Sequence, residues 1–251
     1  MPMLRSFLVQ GASRGIGLEF VRQLLLRDEE SQVFASCRSP ERATGLRELA
    51  SSEPARLRLL RLDVTNEGTI ETAAAEVAEQ TGRLHLVLNV AGVLHGSDFG
   101  PEKKLTQVRP EALREVFEVN AFGPLLVAKH FHRFLRHDER SVFASVSARV
   151  GSISDNRLGG WYAYRGSKAA QNMFTKTLSI ELARLAPMAV VVGLHPGTVD
   201  TELSKPFQRT VPQGQLQSTE SSVRSMLSVL DGLAREDTGR VFDFRANEIM
   251  P

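Results

Sequence analysis

Residues Arg5 to Leu25 read RSFLVQGASRGIGLEFVRQLL, and three local signals follow one another in that stretch. The apolar run from Arg5 to Val9 lacks period-two alternation, which predicts a strand buried on both faces. Gly11, Gly15 and Gly17 mark a tight turn, and Ile16, Phe20 and Leu24, at four-residue spacing, predict a helix that starts at once. The same succession recurs down the chain. Gln32 to Cys37, Leu57 to Leu62, Leu84 to Asn89, Ser141 to Val146, Ala189 to Leu194 and Arg240 to Phe244 read as further strands with helical patterns between them. Strands and helices that alternate to the end predict an α/β fold, a doubly wound parallel sheet of about seven strands with helices on both faces.

A chain of 251 residues suits one large α/β domain, so residues 1–251 are expected to form a single unit. At 42% hydrophobic and 24% charged residues it has enough apolar surface to fold, which excludes a disordered or fibrous chain. The formal net charge is +2 and the basic residues are scattered, so no nucleic-acid partner is expected. The single Cys37 cannot form an internal disulfide, which fits a reducing compartment. The N-terminus lacks a signal-peptide core and no apolar run is long enough to span a bilayer, so a soluble, cytoplasmic protein without a membrane partner is expected. The segment from Ser204 to Ser222, rich in Gln, Ser, Thr and Pro, reads as a mobile loop after a strand's carboxyl end and is the expected substrate-side lid.

Chemistry enters at the glycine turn. A strand that bends through glycines into a helix lets a pyrophosphate approach free N–H groups at the positive end of the helix dipole. Gly11, Ser13, Arg14, Gly15, Ile16 and Gly17 are therefore the expected cradle of a dinucleotide in a Rossmann-type domain. At the end of the second strand, an acid that would bind a ribose 2′-hydroxyl is missing and Arg38 stands after Cys37. Arg38 and Arg14 offer paired guanidinium groups to a 2′-phosphate, which predicts NADP(H) over NAD(H). Asp63 and Asn89 lie at strand carboxyl ends, where such sheets bind ligands, although Asp63 can equally cap a helix and Asn89 turn the chain. Tyr164 and Lys168 lie one helical turn apart on one face, and an ammonium beside a phenol favours tyrosinate.

The ordered set GASRGIG, Asp63, NVAG from Asn89, Asn120, YRGSK from Tyr164 and HPGTVDT from His195 resembles the short-chain dehydrogenase/reductase family over nearly the whole chain. The stretch VSARVGSISDNRLGGWYAYRGSKAA is similar to the C-factor and sniffer-like carbonyl reductases. The resemblance implies a catalytic tetrad of Asn120, a serine on the fifth strand, Tyr164 and Lys168. Tyr164 would protonate a carbonyl oxygen as hydride reaches its carbon, Lys168 would hold the nicotinamide ribose, and Asn120 would position a water. It further implies cofactor contacts at Asp63 and Val64, at Asn89, Ala91 and Gly92, and at Pro196, Gly197, Val199 and Thr201. No metal is implied; His130, His132 and His137 do not share a ligand-bearing helical face. The substrate implied is a small carbonyl or alcohol compound, and the assembly a homodimer or homotetramer packed through the helices Ala121–Arg136 and Tyr164–Leu185.

Two positions depart from the family pattern. Gln10 stands where the glycine motif usually begins with Thr. The usual Ser-Ser pair reads Ser147-Ala148, so Ser147 is the candidate hydroxyl, with Ser145 on the same face as a weaker substitute. Successive strand residues point to opposite faces, so Ser147 serves only if the strand ends or bulges there. If it does not, the chain fits a second description: a dinucleotide-binding regulatory or signalling protein with weak or vestigial reductase activity.

Overall fold

The structure, a computed structural model, describes residues 5–251, so the first four residues of the expected domain lie outside it. The strands are β1 (Ser6–Gln10), β2 (Gln32–Cys37), β3 (Leu57–Arg61), β4 (Leu86–Asn89), β5 (Ser141–Val146), β6 (Ala189–His195), the short β7 (Thr198–Val199) and β8 (Leu216–Gln217), and β9 (Val241–Asp243). The helices are α1 (Gly15–Arg27), α2 (Thr44–Ser52), α3 (Glu67–Gln80), α4 (Pro110–Phe117), α5 (Gly123–Phe131), α6 (Tyr162–Leu185) and α7 (Thr219–Gly232), with short 3-10 turns between. Seven strands form one parallel sheet in the order β3-β2-β1-β4-β5-β6-β9. All seven expected strands are present, with ends displaced by no more than two residues.

Both faces of this sheet are covered, which is why its strands show no alternation. Val9, Val33, Ala35, Val190 and Val192 face one way, against Phe20, Val21 and Leu24 of α1 and Met226 and Leu227 of α7. Leu8, Phe34, Val87, Phe143 and Val191 face the other, against Ile70 and Val77 of α3, Val127 and Phe131 of α5 and Leu182 of α6. Each such side chain, once fully buried, contributes roughly 1.5–3 kcal/mol.

Register brings the carboxyl ends of the central strands level: Gln10 pairs with Ser36 and with Asn89, and Asn89 with Ser145. From β1 the sheet runs to β2 on one side and β4 on the other, so the crevice of a parallel sheet opens between them at this edge.

Two features differ from the sequence reading. The segment 204–222, expected to be an irregular loop, contains regular elements. Lys205–Thr210 form a 3-10 turn and β8 pairs with β7. α7 begins at Thr219 because the Ser218 hydroxyl accepts from Ser221 N at 3.0 Å, an N-cap. Between α4 and α5 the chain makes a π-helical turn, Glu118–Phe122, which hydropathy periodicity does not reveal. Among the described residues, no helix is long and apolar enough to cross a membrane.

Candidate active site

The glycine turn closes against β4. Gly11 has φ +86, and a Cβ there would lie 2.5 Å from Ala91 N; a Cβ on Gly17 would lie 2.1 Å from Gly11 O. Neither position admits a side chain, and strand, turn and helix pack at backbone contact. Gln10, which stands at the departure from the family pattern, accepts from Ala91 N through Oε1 at 3.3 Å. The N-terminus of α1 carries no side-chain cap at Arg14, which leaves its dipole end open to an anion. Thr201 reaches this turn: a Cβ on Gly15 would meet its methyl group at 3.5 Å. The HPGTVDT stretch and the glycine turn therefore meet.

Buried polar atoms without partners mark the same edge. Ser36 Oγ, Asn89 Oδ1 and His195 Nδ1 are in this state, at the carboxyl ends of β2, β4 and β6. Buried polar groups are normally bonded, so three orphans along one sheet edge fit a bound polar group there. Arg14 and Arg38 are exposed and make no ion pair among the described residues. A nicotinamide dinucleotide fits this edge: the α1 amides and the exposed Arg14 and Arg38 offer donors to phosphate groups, and the β4 and β6 ends carry buried polar atoms without partners.

Asp63 spends one carboxylate oxygen on an Asx turn, accepting from Thr65 N at 3.0 Å and Thr65 Oγ1 at 2.8 Å. Val64 is buried against Gly123, the first residue of α5. Asn89 donates to Ser145 Oγ at 3.3 Å. Pro196 O accepts from Gln217 Nε2 and Ser222 Oγ at 2.9 and 2.8 Å, which ties the motif to β8 and α7. Val199 is buried, Gly92 is exposed, and Ser13, Ile16, Ala91 and Gly197 are half-buried.

Asn120 sits inside the π turn, where the wider spacing turns its amide toward the loop after β4. Its Oδ1 accepts from Val93 N at 2.8 Å, while its Nδ2 donates to Val93 O at 2.8 Å and to Ser167 Oγ at 3.1 Å. Ser167 Oγ donates to Tyr164 O at 2.8 Å, so the π turn is bonded into the first turn of α6. Ser167 was not singled out from sequence.

Tyr164 and Lys168 share one face of α6, with Lys168 Nζ 5.9 Å from the phenol ring centroid. The ammonium is 3% exposed and donates to Val146 O at 2.7 Å and Gln171 Oε1 at 3.1 Å. Burial pushes the Tyr164 phenol up to about 12 and the Lys168 amine down to about 7. This is opposite to the expected pull of the cation on the phenol, because desolvation dominates both groups and Lys168 is turned to Val146 and Gln171. Gln171, three residues beyond Lys168 and on the same helical face, was not singled out from sequence. Burial first, then Arg149, also hold His195 down at about 4, so it is neutral.

Ser147 lies just past the carboxyl end of β5. The strand ends at Val146, one residue before it; the Ser147 N–H still donates to Leu194 O at 2.7 Å, and Ala148 is extended at φ −149, ψ 145. Ser147 Oγ donates to Asn172 Oδ1 at 2.6 Å. Asn172 lies eight residues beyond Tyr164 on α6, about 12 Å along the helix axis. The hydroxyl of Ser147 is thus bonded to a residue two turns beyond Tyr164 on α6, and the next residue carries only the methyl of Ala148. Ser145, the weaker substitute, is 1% exposed and its Oγ accepts from Asn89 Nδ2 at 3.3 Å.

Aromatic side chains cluster in front of Tyr164. Trp161 lies edge-on to it with centroids 6.2 Å apart, Phe207 from the 3-10 turn after β7 lies 5.1 Å from Trp161, and His95 lies 6.1 Å from Phe207. Trp161 enters α6 from the left-handed region at φ 54, ψ 43, which costs a bulky residue about 1–2 kcal/mol. Tyr162 faces outward. Cys37 is buried, and burial raises its thiol pKa. At the opposite, amino edge of the sheet, ligand atoms of His137, Asp138 and Glu139 come within 4.8 Å of one another, but both Glu139 oxygens already bond Arg83 and His85.

Comparison with known proteins agrees with this geometry. The model of the short chain dehydrogenase family matches residues 5–212. The NADPH-bound carbonyl reductase from chicken fatty liver superposes with a TM-score of 0.87 at 32% identity, covering 99% of each chain. The carbonyl reductase Sniffer of Drosophila melanogaster superposes at 0.86 with 25% identity, over 99% of this chain and all of that one. C-signal of Myxococcus xanthus is 38% identical over 169 residues, 67% of this chain and 93% of that protein.

Proposed function

We propose, on the premise that the chain belongs to the short-chain dehydrogenase family, that it is an NADPH-dependent reductase of a small carbonyl compound. The carrying observation is Tyr164 beside Lys168 at the nucleotide edge of the sheet, with a phenol that burial keeps protonated. A phenol is protonated at neutral pH and can donate its proton to the oxygen of a carbonyl as hydride reaches the carbon.

The α1 amides would hold the pyrophosphate, Arg14 and Arg38 the 2′-phosphate, and Lys168 the nicotinamide ribose. When bound, the reduced nicotinamide supplies hydride to the carbonyl carbon. Tyr164 donates its proton to the oxygen that gains charge. Asn120, fixed between Val93 and Ser167, holds the loop after β4 against α6. Trp161, backed by Phe207, flanks the phenol on one side. The test is NADPH consumption with a panel of aldehydes, ketones and quinones: Tyr164→Phe is expected to lower turnover by about 10²–10⁴, and a variant as fast as wild type refutes the assignment.

One observation favours a second reading. With Ser147 moored on Asn172, no serine at 147 or 148 polarises the carbonyl, as suits a dinucleotide-binding regulatory protein with weak reductase activity. NADPH binding without turnover of any carbonyl decides for it.

The apolar residues left exposed on α5, α6 and the π turn, among them Phe122, Leu125, Met173 and Ile180, suit a homodimer or homotetramer.

A further inference from the structure

Glu102 lies on the long connection after β4, is 5% exposed, and has no part in the chemistry described above. Its backbone carbonyl accepts from Trp161 N at 2.5 Å, and its carboxylate Oε2 accepts from Ala163 N at 3.3 Å. Both acceptors therefore go to the start of α6. That helix has no side-chain cap of its own, so its first-turn donors depend on a partner brought from elsewhere in the chain. A carboxylate at this end also complements the helix dipole.

The joint that Glu102 holds is unusual. Gly159, Gly160 and Trp161 have φ of +64, +65 and 54, three consecutive left-handed residues of which the last is bulky. Close approach is built in, because a Cβ on Gly160 would stand 3.1 Å from Glu102 O. Tyr164 follows Ala163 directly, and the Trp161 ring bridges Tyr164 and Phe207.

We propose that Glu102 is a positioning residue: by clamping the left-handed joint at Trp161 and Ala163 it sets the place of the Tyr164 phenol and the wall that Trp161 presents to Phe207. Its consequence for turnover rests on Tyr164 being the proton donor, as proposed above. The clamp itself is a property of the fold.

Trp161 is the sole tryptophan, so its emission reports on the joint directly. Three readouts are taken on the full chain: steady-state NADPH kinetics with a reactive carbonyl, Trp161 emission with acrylamide quenching, and amide hydrogen exchange over residues 161–165. In Glu102→Ala, kcat is expected to fall about ten- to a hundred-fold, as a displaced reacting group requires. KM for NADPH should stay within about twofold, since uniform binding is untouched. Exchange over 161–165 should accelerate and Trp161 should become more quenchable. Glu102→Gln keeps a carbonyl acceptor of the same reach and should restore all three readouts.

Unchanged exchange and emission in Glu102→Ala overturn the clamp. Faster exchange with unchanged kcat overturns the positioning role. Should wild type reduce no carbonyl at all, the reductase reading fails, and exchange and emission still decide the clamp. Where Glu102→Ala does not fold, Glu102→Asp, one methylene shorter, should show a partial loss, and wild-type values in all three readouts sink the proposal.

Discussion

Replacing Lys168 by Met tests whether the buried ammonium is strained before any nucleotide arrives. Burial moves this amine from the usual 10.5 to about 7. Between those values the unfolded chain holds a proton that the folded chain has released. Raising the pH therefore favours the folded state, by about 1.4 kcal/mol per pH unit at full effect. The penalty is complete below about 7 and vanishes above 10.5. Lys168→Met removes the titration. It also leaves Val146 O and Gln171 Oε1 without their donor, a loss of about 1–3 kcal/mol each, but that cost does not change with pH. The informative quantity is thus the wild-type minus Lys168→Met difference in unfolding free energy, measured by urea titration without nucleotide at pH 6.5 and pH 9. It should move in favour of wild type by about 2–3 kcal/mol as the pH rises. An equal difference at both pH values refutes the reasoning, since Lys168 would then titrate as an ordinary exposed lysine.

Ser147→Ala should leave turnover within about threefold of wild type, whereas Ala148→Ser, which places a hydroxyl on the opposite strand face, should raise it by up to about 10² if the new donor reaches the carbonyl oxygen. Initial rates of NADPH oxidation distinguish the two, and a hundred-fold loss in Ser147→Ala would restore Ser147 as the donor. Arg38→Ala should weaken NADPH while leaving NADH nearly unaffected, by about 1.5–3 kcal/mol or roughly tenfold to a hundredfold. Fluorescence titration with both nucleotides measures it, and an unchanged ratio removes Arg38 from the 2′-phosphate site.

The sheet was legible because burial on both faces leaves a run of apolar residues that needs no partner to be recognised; Gln32–Cys37 and Ser141–Val146 match residue for residue. The Tyr164 and Lys168 pair was legible because helical spacing alone puts them on one face. What escaped depends on contacts distant in sequence. Ser147 bonds a residue 25 positions away and Gln10 one 81 positions away. Glu102 caps a helix 61 positions on, and no local propensity announces that. The direction of the Tyr164 shift escaped for a related reason: adjacency of two side chains can be read from spacing, but how dry their surroundings are cannot. The irregular stretch is shorter than its polar composition suggests, because Ser218 followed by an acidic first turn is a helix start.

The π turn at Glu118–Phe122 makes α4 and α5 one rod with a phase slip in the middle. The rod answers to two neighbours: α4 and the slipped turn lie on α6, while α5 lies on α3. An unbroken α-helix would lock those two faces at one fixed angle, so that adjusting the fit on one side would rotate the other. With the extra residue absorbed at Asn120, the half of the rod that lies on α6 and the half that lies on α3 each find their own azimuth.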